Sequence, residues 1–411
     1  MKTLAITLKP LAPYFLGNER NRDFGDDTLH YRIQRAQVNP YFTRSSQMPS
    51  QSALFGVLRY IGILDPKPDY SNKNVENIGS ESFNLRSKIS QDFGRIHSIS
   101  PMTLVDQEER IYVPLPRNHI PSELKEKSEE EQKKDPSRAT ELKPEEFKSY
   151  QAYESINCLE MGSPRTLPKD YNEKIWDNGV LYCLDDHKIY GGMFKTQVRV
   201  GIRRGTETER AFFKKEYMIL SPSFAFRYYA EVDDKFEFRN DGIVYMGQGR
   251  CPFSFHAEID SNCCPFSFQE EDDEQCEVRN KLQICFPKRV SINEVHNKEI
   301  GYAYVLSDLF YAGRISDLRK LCDFMLVSEK DYRVFTTNYG HIGIGESRKR
   351  YRRHLEGLKM IPAGSVFLFT GDMISNRIKL FQEELQKSNS FKHGKIAGFN
   401  HLLYFYDKTY Q

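Results

Sequence analysis

The chain has 411 residues, enough for two domains that each bury a core of ordinary size. Lys and Arg together number 59 and Asp and Glu 57, so the overall charge neither favours nor excludes a nucleic-acid partner. The longest apolar runs fall far short of the roughly 20 residues that span a bilayer, and the first residues show no secretion signal, so we expect a cytoplasmic protein without a membrane partner.

The cysteines indicate neither a zinc site nor a disulfide framework. Eight are present, and none of them forms a C-x-x-C pair. Zinc ligands normally come in pairs about two to four residues apart, and a cytosolic setting disfavours disulfides. We therefore interpret the densest group, between Cys251 and Cys285, as buried thiols, and we expect no metal and no other cofactor.

The first predicted elements are a strand and an amphipathic helix. Apolar and polar residues alternate in TLAITL (3–8), which predicts a strand. In PSQSALFGVLRYIG (49–62) apolar residues recur with helical spacing, Ser50 is the expected N-cap and Gly62 the expected stop. RIYVPLPRNHI (110–120) then predicts a strand that runs into a proline-containing loop.

The start of this helix combines two unusual features. Gly56 costs about 1 kcal/mol relative to alanine inside a helix, and close approach to a sheet or to a ligand would explain its presence. Ser50, Gln51 and Ser52 place small polar groups beside the unpaired backbone N–H groups of the first turn, where a phosphate binds readily. Simple packing on a sheet explains Gly56 equally well, so both interpretations stay open.

The middle of the chain predicts a charged insertion and a long β-hairpin. Residues 121–148 carry dense mixed charge and almost no large apolar residues, which is typical of an exposed insertion. Residues 196–231 alternate apolar and polar on both sides of GTETE (205–209), which predicts a hairpin and a following strand. Aromatic residues that alternate in a strand usually belong to a core. Here, however, two of them lie among cations, and single-stranded nucleic acid favours such a mixture of rings and positive charges. The residues of this cluster are Arg199, Arg203, Arg204, Arg210, Phe212, Phe213, Lys214 and Lys215.

An acidic segment, QEEDDEQCE (269–277), separates the two halves. We place the domain boundary at about 260 to 280, which gives domains at 1–260 and 280–411. The second half predicts two strands, a helix and a final strand: FMLVSEKD (324–331), IPAGSVFLFTG (361–371), 373–387 and HLLYFYD (401–407). This order, with hairpins between, predicts a split β-α-β sheet in each half, and hence an α+β fold of antiparallel sheets backed by helices.

The sequence lacks the common catalytic motifs. It contains no phosphate-binding loop, zincin, nucleophile-elbow or dinucleotide-binding pattern, and its ten histidines stand singly. We therefore expect the protein not to be an enzyme. A second basic cluster, Arg348 to Arg353 around Tyr351, indicates phosphate contact, although a solvated loop explains it equally well.

Six stretches together resemble the Cas5-like RAMP subunit of type III-B CRISPR effector complexes, the family of Cmr subunit three. They occur in the family's order over nearly the whole chain: LKPLAPYFLGNERN, MPSQSALFGVLRYIGI, VGIRRGTETERAFFKKEYMIL, VYMGQGR, IPAGSVFLF and GKIAGFNHL. The resemblance implies two ferredoxin-like (RRM-like) domains and a non-catalytic subunit for antiviral defence that binds the repeat-derived 5′ handle of crRNA. It also implies docking on the Cas10-type large subunit, with Cas7-like backbone subunits as further partners.

The resemblance also implies which segments face RNA. They are the start of the helix, the hairpin, the MGQGR loop and the glycine-bearing end of the chain. We expect residues of the first long loop and of the second basic cluster to contact RNA as well. The residues expected to contact RNA are Asn18, Arg20, Ser50, Gln51, Ser52, Arg59, Arg199, Arg203, Arg204, Lys214, Gly247, Gly249, Arg250, Arg350, Arg352, Gly398 and Asn400. The sequence departs from the family pattern in its charged insertion, and its C-terminal loop is poorer in glycine than in many RAMP proteins.

Two other functions stay open at this point. A crRNA-processing endoribonuclease of the same superfamily would use a histidine such as His30 as general acid or base, although the surrounding GDDTLHYRIQR (25–35) lacks a dedicated pair of cations. A scaffold subunit that does not bind RNA is the third possibility. Cleavage of repeat RNA would separate the first two functions, and RNA binding would separate both from the scaffold.

Overall fold

The computed structural model describes residues 1–17, 42–63, 72–80, 83–85, 91–118, 120–121, 140–142, 144–145, 179–204, 210–247, 250–260, 264–266, 276–286, 289–290, 298–328, 330–332, 335–336, 352–353, 358–370 and 373–406. Most of the predicted insertion, most of the acidic segment and the hairpin tip lie outside these residues. The predicted domain boundary stays a prediction.

The N-terminal part consists mostly of strands. They are β1 (Lys2–Pro10), β2 (Leu16–Gly17), β3 (Phe42–Ser46), β4 (Ile96–Ile99), β5 (Thr103–Asp106), β6 (Ile111–Pro114), β7 (Ile120–Pro121), β8 (Thr140–Leu142), β9 (Pro144–Glu145), β10 (Leu181–Cys183), β11 (Ile189–Gly191), β12 (Phe194–Arg204), β13 (Arg210–Leu220), β14 (Phe224–Val232), β15 (Asp241–Met246) and β16 (Cys251–Ile259). Two helices accompany them, α1 (Gln51–Ile61) and α2 (Asn72–Ile78). The predicted first strand, first helix, strand at 110–120 and long hairpin are confirmed.

The C-terminal part alternates strands and helices. Its strands are β17 (Arg289–Val290), β18 (Lys298–Val305), β19 (Leu309–Phe310), β20 (Phe324–Leu326), β21 (Lys330–Tyr332), β22 (Phe335–Thr336), β23 (Arg352–Arg353), β24 (Leu358–Ile361), β25 (Val366–Thr370) and β26 (Leu402–Phe405). Its helices are α3 (Glu277–Leu282), α4 (Ile315–Leu318), α5 (Ile374–Gln386) and α6 (Asn389–Ile396). The predicted helix and final strand are confirmed. The stretch predicted as one strand at 361–371 is divided between β24 and β25, because the turn between them includes Gly364 at a φ of +89°.

Each part builds one large sheet around its first long strand. The N-terminal order is β15-β16-β1-β14-β5-β6-β10-β11-β8, and β4 also pairs with β14. The C-terminal order is β17-β18-β25-β20, and β26 also pairs with β18. Among the described pairs only β13 with β3 is parallel. The predicted α+β class with antiparallel sheets is thus confirmed.

The two large sheets pack face to face, and helices cover their outer faces. Strand residues alternate between the faces of a sheet, so Leu4 and Ile6 lie in the core beneath α1 while Ala5 lies in the core between the sheets. Tyr302 and Tyr304 of β18 enter that middle core from the opposite sheet. A third core lies between the C-terminal sheet and helices α5 and α6. The result is a helix, sheet, sheet, helix arrangement.

Hydrogen bonds join the two sheets at their middle core. The Tyr304 hydroxyl donates to the carbonyl oxygen of Pro114 at 2.6 Å, and the Asn118 amide donates to the carbonyl of Cys285 at 3.0 Å. Both polar pairs lie in an apolar interior, where an unpaired partner would be costly. The two predicted domains therefore share one buried interface. Within the described residues no helix is long and apolar enough to cross a membrane.

Candidate nucleic-acid interface

Helix α1 begins with two partly buried hydroxyls and one buried amide. Ser50 is the N-cap, as predicted, but its side chain makes no capping hydrogen bond, and its Oγ lies 3.2 Å from the Oγ of Ser52. Gln51 is only 8% exposed, and its Oε1 is buried without a hydrogen-bond partner. These groups lie at the positive end of the helix dipole, which favours an anion.

The segment after α6 packs directly against this helix start. Helix α6 ends in a Schellman motif, in which Gly398 has a φ of +81° and the N–H groups of Gly398 and Phe399 bond back to carbonyls of the last turn at 3.0 and 2.9 Å. A Cβ at position 398 would lie 2.6 Å from Oε1 of Gln51 and 2.8 Å from the carbonyl oxygen of Ser100. Both the backbone angle and the close approach of α1 therefore require glycine here.

Aromatic rings hold this C-terminal loop on α1. The Phe399 ring stacks on Phe83 with centroids 6.1 Å apart, and Phe83 in turn lies 5.9 Å from Phe55 of α1. Phe93 completes the cluster, 4.8 Å from Phe55 in an edge-to-face arrangement. The cluster brings Gln51 from one half of the chain and Gly398 from the other half into contact.

Asn400 supports the same loop from inside the protein. It is fully buried, and its φ is +62°. Its side-chain oxygen accepts from the N–H of Phe310 at 2.6 Å, and its amide donates to the carbonyl of Phe391 at 3.0 Å. In this arrangement Asn400 positions the loop, and its side chain does not face solvent.

The hairpin β12–β13 carries the second group of candidate residues. β12 is exposed along residues 195–200, and its register places Arg199 opposite Lys215. The Arg199 guanidinium lies 4.6 Å from the centroid of the Tyr217 ring, and the Lys215 ammonium lies 5.1 Å from the centroid of Phe15. We call Arg199, Lys215, Tyr217 and Phe15 the basic hairpin face. It combines cations with rings in the way that single-stranded nucleic acid favours.

The MGQGR loop meets this face at Phe15. Gly247 has a φ of +73°, and a Cβ there would collide with the carbonyl oxygen of Phe15. The Phe15 ring lies 5.6 Å from the Tyr217 ring, measured between centroids. The backbone N–H of Phe15 donates to Sγ of Cys251 at 3.1 Å. Arg250 is exposed at the end of the loop, with a φ of +50°. Phe15 therefore links the loop to the basic hairpin face.

Two predicted residues lie away from these groups. Arg59 lies in the last turn of α1, at the opposite end from Ser50, and donates to the carbonyl of Gly79 at 3.0 Å. Lys214 pairs with Val200, so it lies on the face of the ladder opposite Arg199. Neither position adds to the helix start or to the basic hairpin face.

The remaining predicted residues cannot be placed at either group. Arg203, Arg204 and Arg352 lie in β12 and β23, whose backbone is described, but their side chains fall outside the description. Asn18, Arg20, Gly249 and Arg350 lie outside the described residues, as does His30 of the nuclease hypothesis. Their predicted roles stay predictions.

Packing on a sheet, one of the two explanations that the sequence suggested for Gly56, is wrong for the described residues, while close approach to a ligand stays a prediction. Gly56 is exposed, and a Cβ there would meet nothing within 4 Å. It lies on the face opposite Leu54 and Leu58, which enter the core. Close packing instead requires glycine at Gly62, where a Cβ would lie 2.7 Å from Ile78.

Sequence reasoning missed His401 as a buried imidazole in the segment after α6. Burial lowers the pKa of its imidazole to about 3, so the ring is neutral at physiological pH, and its Nε2 is buried without a hydrogen-bond partner. The carbonyls of Lys395 and Ile99 lie close to the ring. No sequence pattern marks this position, because its neighbours come from distant segments. Within the described residues no group of three or more His, Cys, Asp and Glu side chains could hold a metal ion.

Three solved structures match this chain at low sequence identity and at TM-scores below 0.5. A cryo-EM structure of the Type III-B Cmr-beta bound to cognate target RNA matches with 13% identity over 97% of this chain and 96% of that chain, at a TM-score of 0.46. A structure of Cmr-beta with cognate target RNA and AMPPnP, in state 1, matches with 14% identity over 97% and 95%, at 0.43. The apo state of Cmr-beta matches with 9% identity over 64% of this chain and 98% of that chain, at 0.26.

The family assignment therefore rests on sequence. No curated protein sequence matches the chain. The family described as CRISPR-associated protein (Cas_Cmr3) matches residues 36–405. Because this match covers most of the 411 residues, the chain belongs to the CRISPR-associated Cas_Cmr3 family and is a component of a type III-B CRISPR effector complex.

Proposed function

We propose that this chain is the non-catalytic subunit that binds the repeat-derived 5′ handle of crRNA in its effector complex. The observation that carries the proposal is the basic hairpin face, where Arg199 lies over Tyr217 and Lys215 over Phe15. The cations can neutralise phosphates, and the partly exposed ring of Tyr217 offers a surface for a base, while the buried Phe15 ring supports Lys215 from below. Arg250, exposed beside this face, adds a further cation.

The start of α1 supplies a second point of attachment. Backbone N–H groups and the helix dipole favour a phosphate there, and Ser50 and Ser52 offer hydroxyl groups to the same ligand. Gly398 lets the C-terminal half approach this point closely. One RNA strand that touches both points would be held by residues from both halves of the chain.

The fold proposal is that each half is a ferredoxin-like unit. The strand orders β16-β1-β14-β4 and β26-β18-β25-β20 both place the fourth, first, third and second strands side by side, as that fold requires. Helix α1 follows the first strand of one half, and α5 and α6 precede the last strand of the other. The N-terminal half departs from the pattern between β14 and β15, where residues 233–240 contain no helix.

Titration with synthetic crRNA tests the RNA-binding role. The full-length chain should bind a crRNA from the same genome more tightly when the RNA carries its natural 5′ handle than when the handle is scrambled. The logarithm of the binding constant should fall linearly with the logarithm of the salt concentration. Equal affinities would contradict handle recognition, and absence of binding would favour the scaffold function. Cleavage of repeat RNA that disappears in His30→Ala would favour the endoribonuclease.

The proposed protein partners are the Cas10-type large subunit, on which this chain docks, and the Cas7-like backbone subunits, all in the cytoplasm. Family membership supports this assignment. Co-purification of tagged chain with each subunit, before and after ribonuclease treatment, tests it. Loss of the Cas10-type subunit after RNA digestion would contradict direct docking.

A further inference from the structure

Strand β15 forms an open edge of the large N-terminal sheet. It is the first strand in the order of that sheet, and among the described residues it pairs with β16 alone. A strand with a neighbour on one side only leaves a row of backbone N–H and C=O groups that face away from the sheet. Such an edge can therefore take up one further strand.

Large apolar side chains lie in solvent at this edge. Ile243 is 47% exposed and Tyr245 is 60% exposed. The register places Tyr245 opposite Pro252 of β16, and the N–H of Leu11 donates to the Pro252 carbonyl at 3.0 Å, so that Leu11, which is also exposed, lies beside it. We call Ile243, Tyr245, Pro252 and Leu11 the edge patch. Exposed apolar groups next to an open strand edge favour association with another chain.

The strand residues of the edge patch lie on the sheet face that also carries the middle core. Residues two apart on a strand share a face, so Pro252 shares its face with Glu258, which the register pairs with Ala5 of β1. Ala5 is buried in the core between the sheets, whereas Ile243 and Tyr245 are exposed. A partner on β15 would therefore extend a packing face that the chain already uses at its centre.

The first residue of β15 lies in an acidic group. Nδ1 of His256 lies 2.6 Å from Asp241, and its Nε2 lies 3.6 Å from Glu258, so one imidazole faces two carboxylates. The group therefore keeps a negative charge even when the imidazole is protonated. Asp241, Ile243 and Tyr245 share one face of the strand. A complementary strand would carry a cation opposite Asp241 and apolar side chains opposite the other two.

The same features argue against a nucleic acid or a second copy of the chain at this edge. Two carboxylates repel phosphates, and Ile243 offers no aromatic surface to a base. The sequence of β15, DGIVYM, contains no cation, so the same strand of a second copy would leave Asp241 without an opposite charge. The unpaired backbone groups of the edge match those of another polypeptide in extended conformation.

We propose that β15 binds an extended segment of a partner protein. The segment adds one strand to the sheet, with Lys or Arg opposite Asp241 and apolar side chains opposite Ile243 and Tyr245. This role goes beyond RNA binding and does not depend on it, because none of these residues belongs to the basic hairpin face or to the start of α1.

Titration of the full-length chain with labelled peptides tests the chemistry of the segment. Two peptides of threonine alternating with lysine, valine and phenylalanine, in that order and in the reverse order, present the required face in either strand direction. One of them should bind, as measured by fluorescence anisotropy, and N-methylation of its backbone amides should abolish binding. Asp241→Lys should weaken binding of this peptide about two- to fivefold, and should strengthen binding of its glutamate analogue by a similar factor.

A variant of the edge patch and a matched control test the location. Tyr245→Ala should weaken peptide binding about fivefold and leave handle affinity unchanged. Leu380 is the control, because its side chain is similarly exposed, at 57%, but lies on α5. Leu380→Ala should change neither quantity. In the purified effector complex, the photo-crosslinker p-benzoylphenylalanine in place of Tyr245 should crosslink to a segment of another subunit with the proposed alternation.

The other outcomes each contradict a defined statement. If neither peptide binds, or if N-methylation leaves binding unchanged, strand addition at β15 is wrong. If Tyr245→Ala weakens handle binding as well, or if the crosslink leads to RNA, the edge patch binds RNA and not a protein segment. A crosslink to a second copy of this chain would make the edge a site of self-association and would equally overturn the proposal. If the wild type binds the peptide but no handle, the proposed function fails while the docking edge stands.

Discussion

At position 398 the backbone itself limits which residue the chain can carry. Gly398 has a φ of +81°, and its Cα hydrogen faces Gln51 and the Ser100 carbonyl. Gly398→Ala should lower the free energy of unfolding by at least about 1 kcal/mol, because a left-handed alanine is strained even before it meets a neighbour. Denaturant unfolding measures the change. Gly17→Ala is the control, since a Cβ there meets nothing within 4 Å; equal losses in both variants would contradict the assignment.

Gly56 leads to the opposite expectation. It lies in α1 with open space around the missing Cβ. Gly56→Ala should therefore raise the free energy of unfolding of the isolated chain by about 1 kcal/mol, through helix propensity alone. Thermal and denaturant unfolding test this. A destabilised variant would show that some segment outside the described residues packs on this face of the helix.

The hairpin is the element that tests the proposed RNA-binding role most directly. Arg199 belongs to the basic hairpin face, and Lys214 lies on the other face of the same ladder. Arg199→Ala should weaken handle binding and reduce the salt slope by about 0.7, the value of one phosphate contact on a single strand. Lys214→Ala is the charge-matched comparison and should change both quantities less. Equal effects would mean that overall charge, and not this face, binds the strand.

The edge hairpin β15–β16 carries a pH-dependent ion pair. Nδ1 of His256 lies 2.6 Å from Oδ1 of Asp241, and this hydrogen bond raises the pKa of the histidine above its usual value of 6.5. A raised pKa means that the contribution to stability is complete below about pH 6.5 and disappears as pH rises through the folded-state pKa. His256 is 53% exposed on its side chain, so the effect should be small and should weaken with salt.

Comparison of the wild type with His256→Gln isolates this pair. The stability difference between them, measured by denaturant unfolding, should shrink as pH rises from about 6 to about 9. The reason is that only the protonated imidazole forms an ion pair with Asp241. A difference that stays constant over this range would show that the hydrogen bond, and not the charge, stabilises the hairpin.

On the scale of the whole molecule, the two halves should unfold together. Tyr304 is fully buried in the core between the sheets, and its hydroxyl donates to Pro114 of the other half at 2.6 Å. Tyr304→Phe leaves that carbonyl unpaired and should lower the free energy of unfolding by about 1 to 3 kcal/mol within one cooperative transition. Tyr311→Phe, whose hydroxyl bonds to Glu384 within the C-terminal half, is the control and should cost less because the pair is partly exposed. Two separate transitions would contradict a shared core.

The elements that local pattern could predict are those whose apolar residues repeat within one segment. Helix α1, strand β1 and helix α5 follow this rule, because one face of each contacts a core. The β12–β13 hairpin shows the same alternation, although only its base contacts a core and residues 195–200 are exposed. The six family stretches likewise led to the Cas_Cmr3 assignment, since each depends only on residue order. The division of β24 from β25 was missed because it depends on one positive φ at Gly364.

Residue order along the chain thus determined the α+β class, most of the larger elements and the family. It could not determine which distant segments meet. The contact of Gln51 with Gly398, the burial of His401 beside Ile99 and the placement of Lys215 over Phe15 depend on tertiary packing of segments far apart in the chain. The open space at Gly56 was equally hidden, because helical periodicity shows which face is apolar but not what covers the opposite face. Only the folded structure decides these contacts, since long-range packing is a property of how whole elements fit together and not of any one segment.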